Sequence, residues 1–159
     1  MNKAIFITLM LLIPLAGCLE KEATEEPTIN YGMGEHIVLT HHQYEGAAPM
    51  GMGNTSNVEL NNTNISVMVN VSVESMFHEP VLWEQGFVNI SIMDEEENML
   101  WQNQTNEFAD WTVVLSDNFS WTGNLSFRTL SEGSDNPTDD KPGDWYIVEY
   151  NTTWQWIEA

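Results

Sequence analysis

The sequence predicts an all-β fold, a single antiparallel β-sandwich of about seven to nine strands, Ig-like or jelly-roll-like in arrangement. Three observations predict it. Apolar residues fall on every other position through several segments, the spacing of a strand with one buried face. No segment sustains the 3.6-residue period of an amphipathic helix. Turn signals recur at the intervals usual for sandwiches.

The elements follow in chain order. Ile37 to Tyr44 reads as a first strand. Met50-Gly51-Met52-Gly53 reads as a flexible loop capping the core. The clearest strand runs from Asn64 to Val73. There Ile65, Val67, Val69, Val71 and Val73 share one face, and Asn64, Ser66, Asn70 and Ser72 share the other. Val81 to Trp83 is a short candidate strand. Val88-Asn89-Ile90-Ser91-Ile92 repeats the alternation. The polar run Asp94 to Asn98 then turns the chain into Met99-Leu100-Trp101, which predicts a hairpin. Trp111, Val113 and Leu115 alternate, as do Leu125 and Phe127. Tyr146, Val148, Tyr150, Trp154 and Trp156 mark a last long strand.

The chain has 159 residues and a formal net charge of −20, from 24 acids against four Lys and Arg. Such a surface repels phosphate backbones, which excludes nucleic acid as a partner. The self-repulsion keeps the domain soluble and strains it, so salt or a cationic partner relieves it. One cysteine, Cys18, permits no disulfide within the chain. Stability therefore has to come from packing, for which seven Trp, six Phe and four Tyr are available.

The first residues carry an address. Lys3 gives a positive start, Ala4 to Pro14 is apolar except for Thr8, and Leu15-Ala16-Gly17-Cys18 closes the run. This has the parts of a secretory signal peptide and is too short to span a bilayer comfortably. Leu-Ala-Gly-Cys at that place resembles the lipobox of prokaryotic lipoproteins. The resemblance implies cleavage before Cys18, lipid on its thiol, and display on the extracellular face of the cytoplasmic membrane. Stable anchoring takes two chains on the lipid, since one holds weakly. An ordinary secretory leader with a coincidental Cys is the alternative. The resulting organisation is a signal peptide over 1–17, a lipid-anchored acidic linker over 18–34, and a β-sandwich over 35–159. The linker holds Glu20, Glu22, Glu25, Glu26 and Pro27, and its charge keeps it extended.

Asn-x-Ser/Thr sequons stand at Asn54, Asn61, Asn64, Asn70, Asn89, Asn103, Asn118, Asn124 and Asn151. Chance predicts roughly two from this composition. A polar outer strand face built from Asn, Ser and Thr inflates such a count, because i and i+2 share a face. N-glycosylation is the functional reading. Together with the lipobox it implies an archaeal cell surface.

Three clusters could bind ligands. His36, His41, His42, Met50 and Met52 combine imidazole with thioether, donors that suit copper. Against this, His41 and His42 must point to opposite faces of a strand. Asp135, Asp139, Asp140 and Asp144 could supply oxygen donors for Ca²⁺. Their spacing fails the EF-hand pattern, and a solvated turn is the plainer reading. Trp121 and Trp145 fall near strand ends, where exposed rings could stack on sugars. No nucleotide-binding, zinc-protease or serine-hydrolase motif occurs, so no catalytic residue is expected. The expected function is a non-catalytic structural or interaction module of the cell envelope. A ligand-binding module for glycan or Ca²⁺ or copper ions is the alternative, with a surface protein or a glycan as partner, and an envelope enzyme is the third reading.

Overall fold

A computed structural model describes residues 29–60, 64–79, 85–116, 123–135 and 141–158. Among them are eight strands and no helix. They are β1 (Tyr31–Gln43), β2 (Met50–Leu60), β3 (Asn64–Met76) and β4 (Phe87–Met93). β5 (Met99–Thr105), β6 (Ala109–Ser116), β7 (Gly123–Gly133) and β8 (Trp145–Ile157) follow. Two antiparallel four-stranded sheets form, in the orders β1-β8-β3-β6 and β2-β7-β4-β5. That order is a jelly roll: the chain passes from sheet to sheet at every step except β4 to β5. The expected sandwich is observed, and of its two candidate arrangements the jelly roll is the one adopted.

The alternation read from sequence sets the inner faces. Val69, Val71 and Val73 of β3 and Val148 and Tyr150 of β8 are buried in the first sheet. They oppose Val88, Ile90 and Ile92 of β4 and Leu125 and Phe127 of β7 in the second. Each such side chain contributes about 1.5–3 kcal/mol on leaving water. Tyr150 Oη also ties the sheets together, lying 3.0 Å from Thr129 Oγ1 and donating to the Arg128 carbonyl at 3.2 Å. The Phe127 and Tyr150 rings meet at 4.9 Å.

The expected hairpin joins β4 and β5. At its turn the Asp94 carboxylate accepts from the Glu96 and Asn98 backbone N–H groups at 2.9 and 2.8 Å. It also accepts from Asn98 Nδ2 at 2.8 Å. These donors, the Asn98 side chain foremost, hold the Asp94 carboxyl below its ordinary value. Glu97 takes the left-handed conformation the turn requires, with φ 63°.

Two stretches differ from the sequence reading. Met50 to Gly53 is not a loop; it is the start of β2, paired residue by residue with Gly133 to Leu130 of β7. β1 begins at Tyr31, inside the stretch expected as linker, and pairs with the end of β8. Gly32 and Gly34 explain this extension. A Cβ at Gly32 would enter the Trp156 ring, and one at Gly34 the Trp154 ring. The glycines let both indoles lie across the strand, and burial of those rings compensates for the low strand propensity of glycine. The candidate strand Val81 to Trp83 lies outside the described residues.

Candidate functional site

The most constructed polar site lies at the end of the sandwich where the chain leaves β1, β3 and β7 and enters β8. Its centre is Asp144, 3% exposed. One carboxylate oxygen accepts from the His78 backbone N–H at 2.8 Å and lies 3.2 Å from His78 Nδ1. The other accepts from the Ser134 backbone N–H at 3.0 Å. The Asp144 backbone N–H donates to the Ser134 carbonyl at 3.0 Å, and its carbonyl accepts from the Tyr44 N–H at 2.8 Å. One residue thereby fastens three connections, those following β1, β3 and β7.

Tyr44 lines the same end. Its hydroxyl donates to Ser131 Oγ at 2.7 Å. Burial pushes the phenol up to about 12 from its ordinary 10.0. Its ring meets the His42 imidazole edge-on at 4.6 Å. Gly133 and Gly86 are required for the fit. A Cβ at Gly133 would stand 2.5 Å from the Tyr44 ring, and one at Gly86 2.8 Å from an Asp144 carboxylate oxygen.

Chemically the site holds a His oriented by a buried carboxylate, half of the arrangement by which a base is positioned. No nucleophile joins it in the described bonds, and both carboxylate oxygens are occupied by donors of the chain itself. No spacing or motif pairs Asp144 with His78, which are 66 residues apart. The topology alone brings them together.

Of the calcium cluster, only Asp135 and Asp144 lie among the described residues. Asp144 is buried in the bonds above, Asp135 is at the rim and donates its N–H to the Gly46 carbonyl at 2.8 Å, and Asp139 and Asp140 lie outside the described residues. The copper cluster is divided. His36 and His42 face inward on β1, six positions apart, while His41 faces outward. Met50 and Met52 are exposed on β2. Among the described residues no three His, Cys, Asp or Glu side chains come together to hold a metal ion.

Trp145 is half-buried on the outer face of the first sheet, and Trp121 lies outside the described residues. Trp101, Trp111 and Trp154 pack against the core, the first two in edge contact at 6.4 Å. Of the sequons, Asn103 and Asn124 are exposed on β5 and β7. Asn54 is exposed on β2, with its Nδ2 donating to Thr40 Oγ1 at 2.9 Å. Asn89 exchanges bonds with Gln104 and Gln102 across to β5. Asn70 and Asn151 face each other on β3 and β8, and Asn151 Nδ2 donates to Glu35 Oε1 at 3.1 Å. The side chain of Asn64 and the whole of Asn61, Asn118 and Cys18 lie outside the described residues.

No family model matches the chain, and no curated protein does. Some solved structures are similar in part. The carbohydrate-binding module TmCBM61, solved in complex with beta-1,4-galactotriose, is 9% identical with a TM-score of 0.45. That match covers 80% of this chain and 88% of that one. Dimeric latent PorU from Porphyromonas gingivalis is 10% identical with a TM-score of 0.38, over 77% of this chain and 13% of that one. A structure of infectious bursal disease virus is 7% identical with a TM-score of 0.31, over 82% of this chain and 34% of that one. Likeness of this degree carries neither residues nor ligands across.

Proposed function

We propose that this protein is a lipid-anchored, non-catalytic module of an archaeal cell surface, attached through Cys18 and acting through its sandwich faces. The observation that carries this reading is Leu15-Ala16-Gly17-Cys18 at the end of a short apolar run, only a dozen positions before β1 begins at Tyr31. A spacer of that length, rich in Glu, holds the sandwich within roughly 40 Å of the lipid surface when extended. Glycans on the exposed sequons Asn54, Asn103 and Asn124 would add a hydrated coat.

The test is a single substitution. Cys18→Ser should shift the protein from the membrane fraction to the medium or to an uncleaved precursor, as read by fractionation and intact mass. Wild-type protein without added lipid mass on Cys18, or a Cys18→Ser variant cleaved and membrane-bound as the wild type is, would defeat the anchor. Intact mass of the native protein also reports glycans directly.

A second reading, a glycan-binding module, is favoured by the half-buried Trp145 on the outer face of the first sheet. Titration with an oligosaccharide panel, read by tryptophan fluorescence, should show saturation that Trp145→Ala removes. Flat titrations across the panel would dismiss it.

A further inference from the structure

Four strands bound the two sheets: β1 and β6 in the first, β2 and β5 in the second. A bounding strand presents unpaired N–H and C=O groups, and proteins blunt such edges with short strands, Lys, Pro or bulges. β5 has 7 residues and a register shift against β4. β6 has 8 residues, and β2 carries Gly51 and Gly53 in its exposed first half. β1 has two glycines of its own, Gly32 and Gly34, confined to its start beneath Trp156 and Trp154, and carries no other of these devices. It runs 13 residues without Lys or Pro, in unbroken register with β8 from Tyr31 opposite Ile157 to Gln43 opposite Trp145. Its outward face is also apolar, with Met33, Ile37 and Leu39 exposed by 76%, 53% and 56%.

The order of side chains on that face identifies the occupant. Around Val38 the outward residues run Glu35, Ile37, Leu39, His41: acid, aliphatic, aliphatic, base. When the strand is turned end for end about Val38, the aliphatic positions exchange and the acid lands on the base. An antiparallel strand of the same sequence therefore sets Ile37 against the partner's Leu39 and Glu35 against the partner's His41. Side chains so opposed have Cβ atoms about 4.5–5.5 Å apart, within reach for both pairs. Asn151 Nδ2 already holds one Glu35 oxygen at 3.1 Å, which fixes the carboxylate on this face.

We propose that β1 is a self-association edge, and that two copies pair through it antiparallel about a two-fold axis at Val38. The two first sheets then merge into one continuous sheet. The pairing consumes both β1 edges and closes at a dimer, whereas β1 against β6 would propagate into filaments. The net charge of −20 opposes association, so added salt strengthens the dimer.

The experiment measures mass by sedimentation equilibrium of the full chain in mild detergent, at low and high sodium chloride. It compares wild type with Glu35→Lys, His41→Glu and the double variant. The expected result is a dimer that added salt strengthens and that, compared at low salt, each single change weakens roughly fivefold to tenfold, because every altered pair occurs twice. The double variant restores the dimer, because the exchanged charges again oppose one another across the axis. Thermal melts by circular dichroism report whether each variant is folded, and all four proteins should melt within a few degrees. A monomer at every salt concentration overturns the proposal. So does a dimer indifferent to both single changes, or one that the double variant does not restore. Capture of an extended peptide by a monomer that never self-associates would assign the same edge to a different partner, and overturns it as well.

Discussion

At the scale of single residues, Asp144 bears the largest structural duty. Asp144→Ala removes the acceptor for the His78 and Ser134 backbone N–H groups at an end of the sandwich where water has little access. Leaving buried donors unpaired costs about 1–3 kcal/mol each, so a loss of roughly 2–4 kcal/mol is expected. Chemical denaturation followed by tryptophan fluorescence measures it. A change below the error of the fit would mean that solvent replaces the carboxylate.

The buried phenols set the response to alkali. Tyr44 is held protonated by burial, its value pushed up to about 12, and burial moves Tyr150 in the same direction. A raised value means that the folded state binds the proton more tightly than the unfolded chain, whose value stays at 10.0. Their contribution is complete below pH 10 and is lost as pH rises towards 12. Denaturant midpoints should therefore fall through that window. Tyr44→Phe should flatten part of the fall, at a cost of about 1 kcal/mol near neutrality for its bond to Ser131.

At the scale of elements, legibility tracked how evenly a strand is buried. β3, β7 and β8 each place one face in the core and the other outward, so period two revealed them. The β4–β5 turn was legible because Asp94 and Asn98 supply their own turn chemistry. β2 was not, since its first six residues are exposed whichever way they point and two of them are glycine. Its strand character comes from β7 rather than from its own side chains. The extension of β1 to Tyr31 was hidden for a related reason: its glycines make sense only beneath Trp154 and Trp156, more than a hundred residues onward. The site around Asp144 was illegible because its bonds to His78 and Tyr44 join distant segments, and the sequence offered that residue only as a loop ligand for Ca²⁺.

The glycine–indole contact yields a prediction at this scale. Gly34→Ala puts a methyl group into the Trp154 ring, and forced displacement of a packed ring costs about 1–3 kcal/mol. Amide hydrogen exchange should rise over residues 31–36 and the facing end of β8 while the β3–β6 pair stays protected. Uniform exchange across both regions would show that the indole moves aside freely.

At the scale of the whole molecule, charge and packing oppose each other. With 24 acids on a chain that has no internal disulfide, mutual repulsion works against a compact body. Sodium chloride should raise the melting temperature steeply at first and then level off, as screening shortens the reach of each charge to about 10 Å at 0.1 M. Calorimetry across a salt series reads this directly. A melting temperature independent of salt would mean that the acids are spaced widely enough to ignore one another.

The position of β8 has a consequence for biogenesis. It is a late strand in the chain, yet it lies between β1 and β3, which share no hydrogen bonds of their own. A nascent polypeptide that has extended only through β7 holds the first sheet still split in two. Folding has to wait for residues 145–157, and until they arrive the aliphatic faces of β1 and β3 remain open to proteases and to other emerging chains. Premature termination before Trp145 should consequently leave degradable fragments rather than a shortened, serviceable domain.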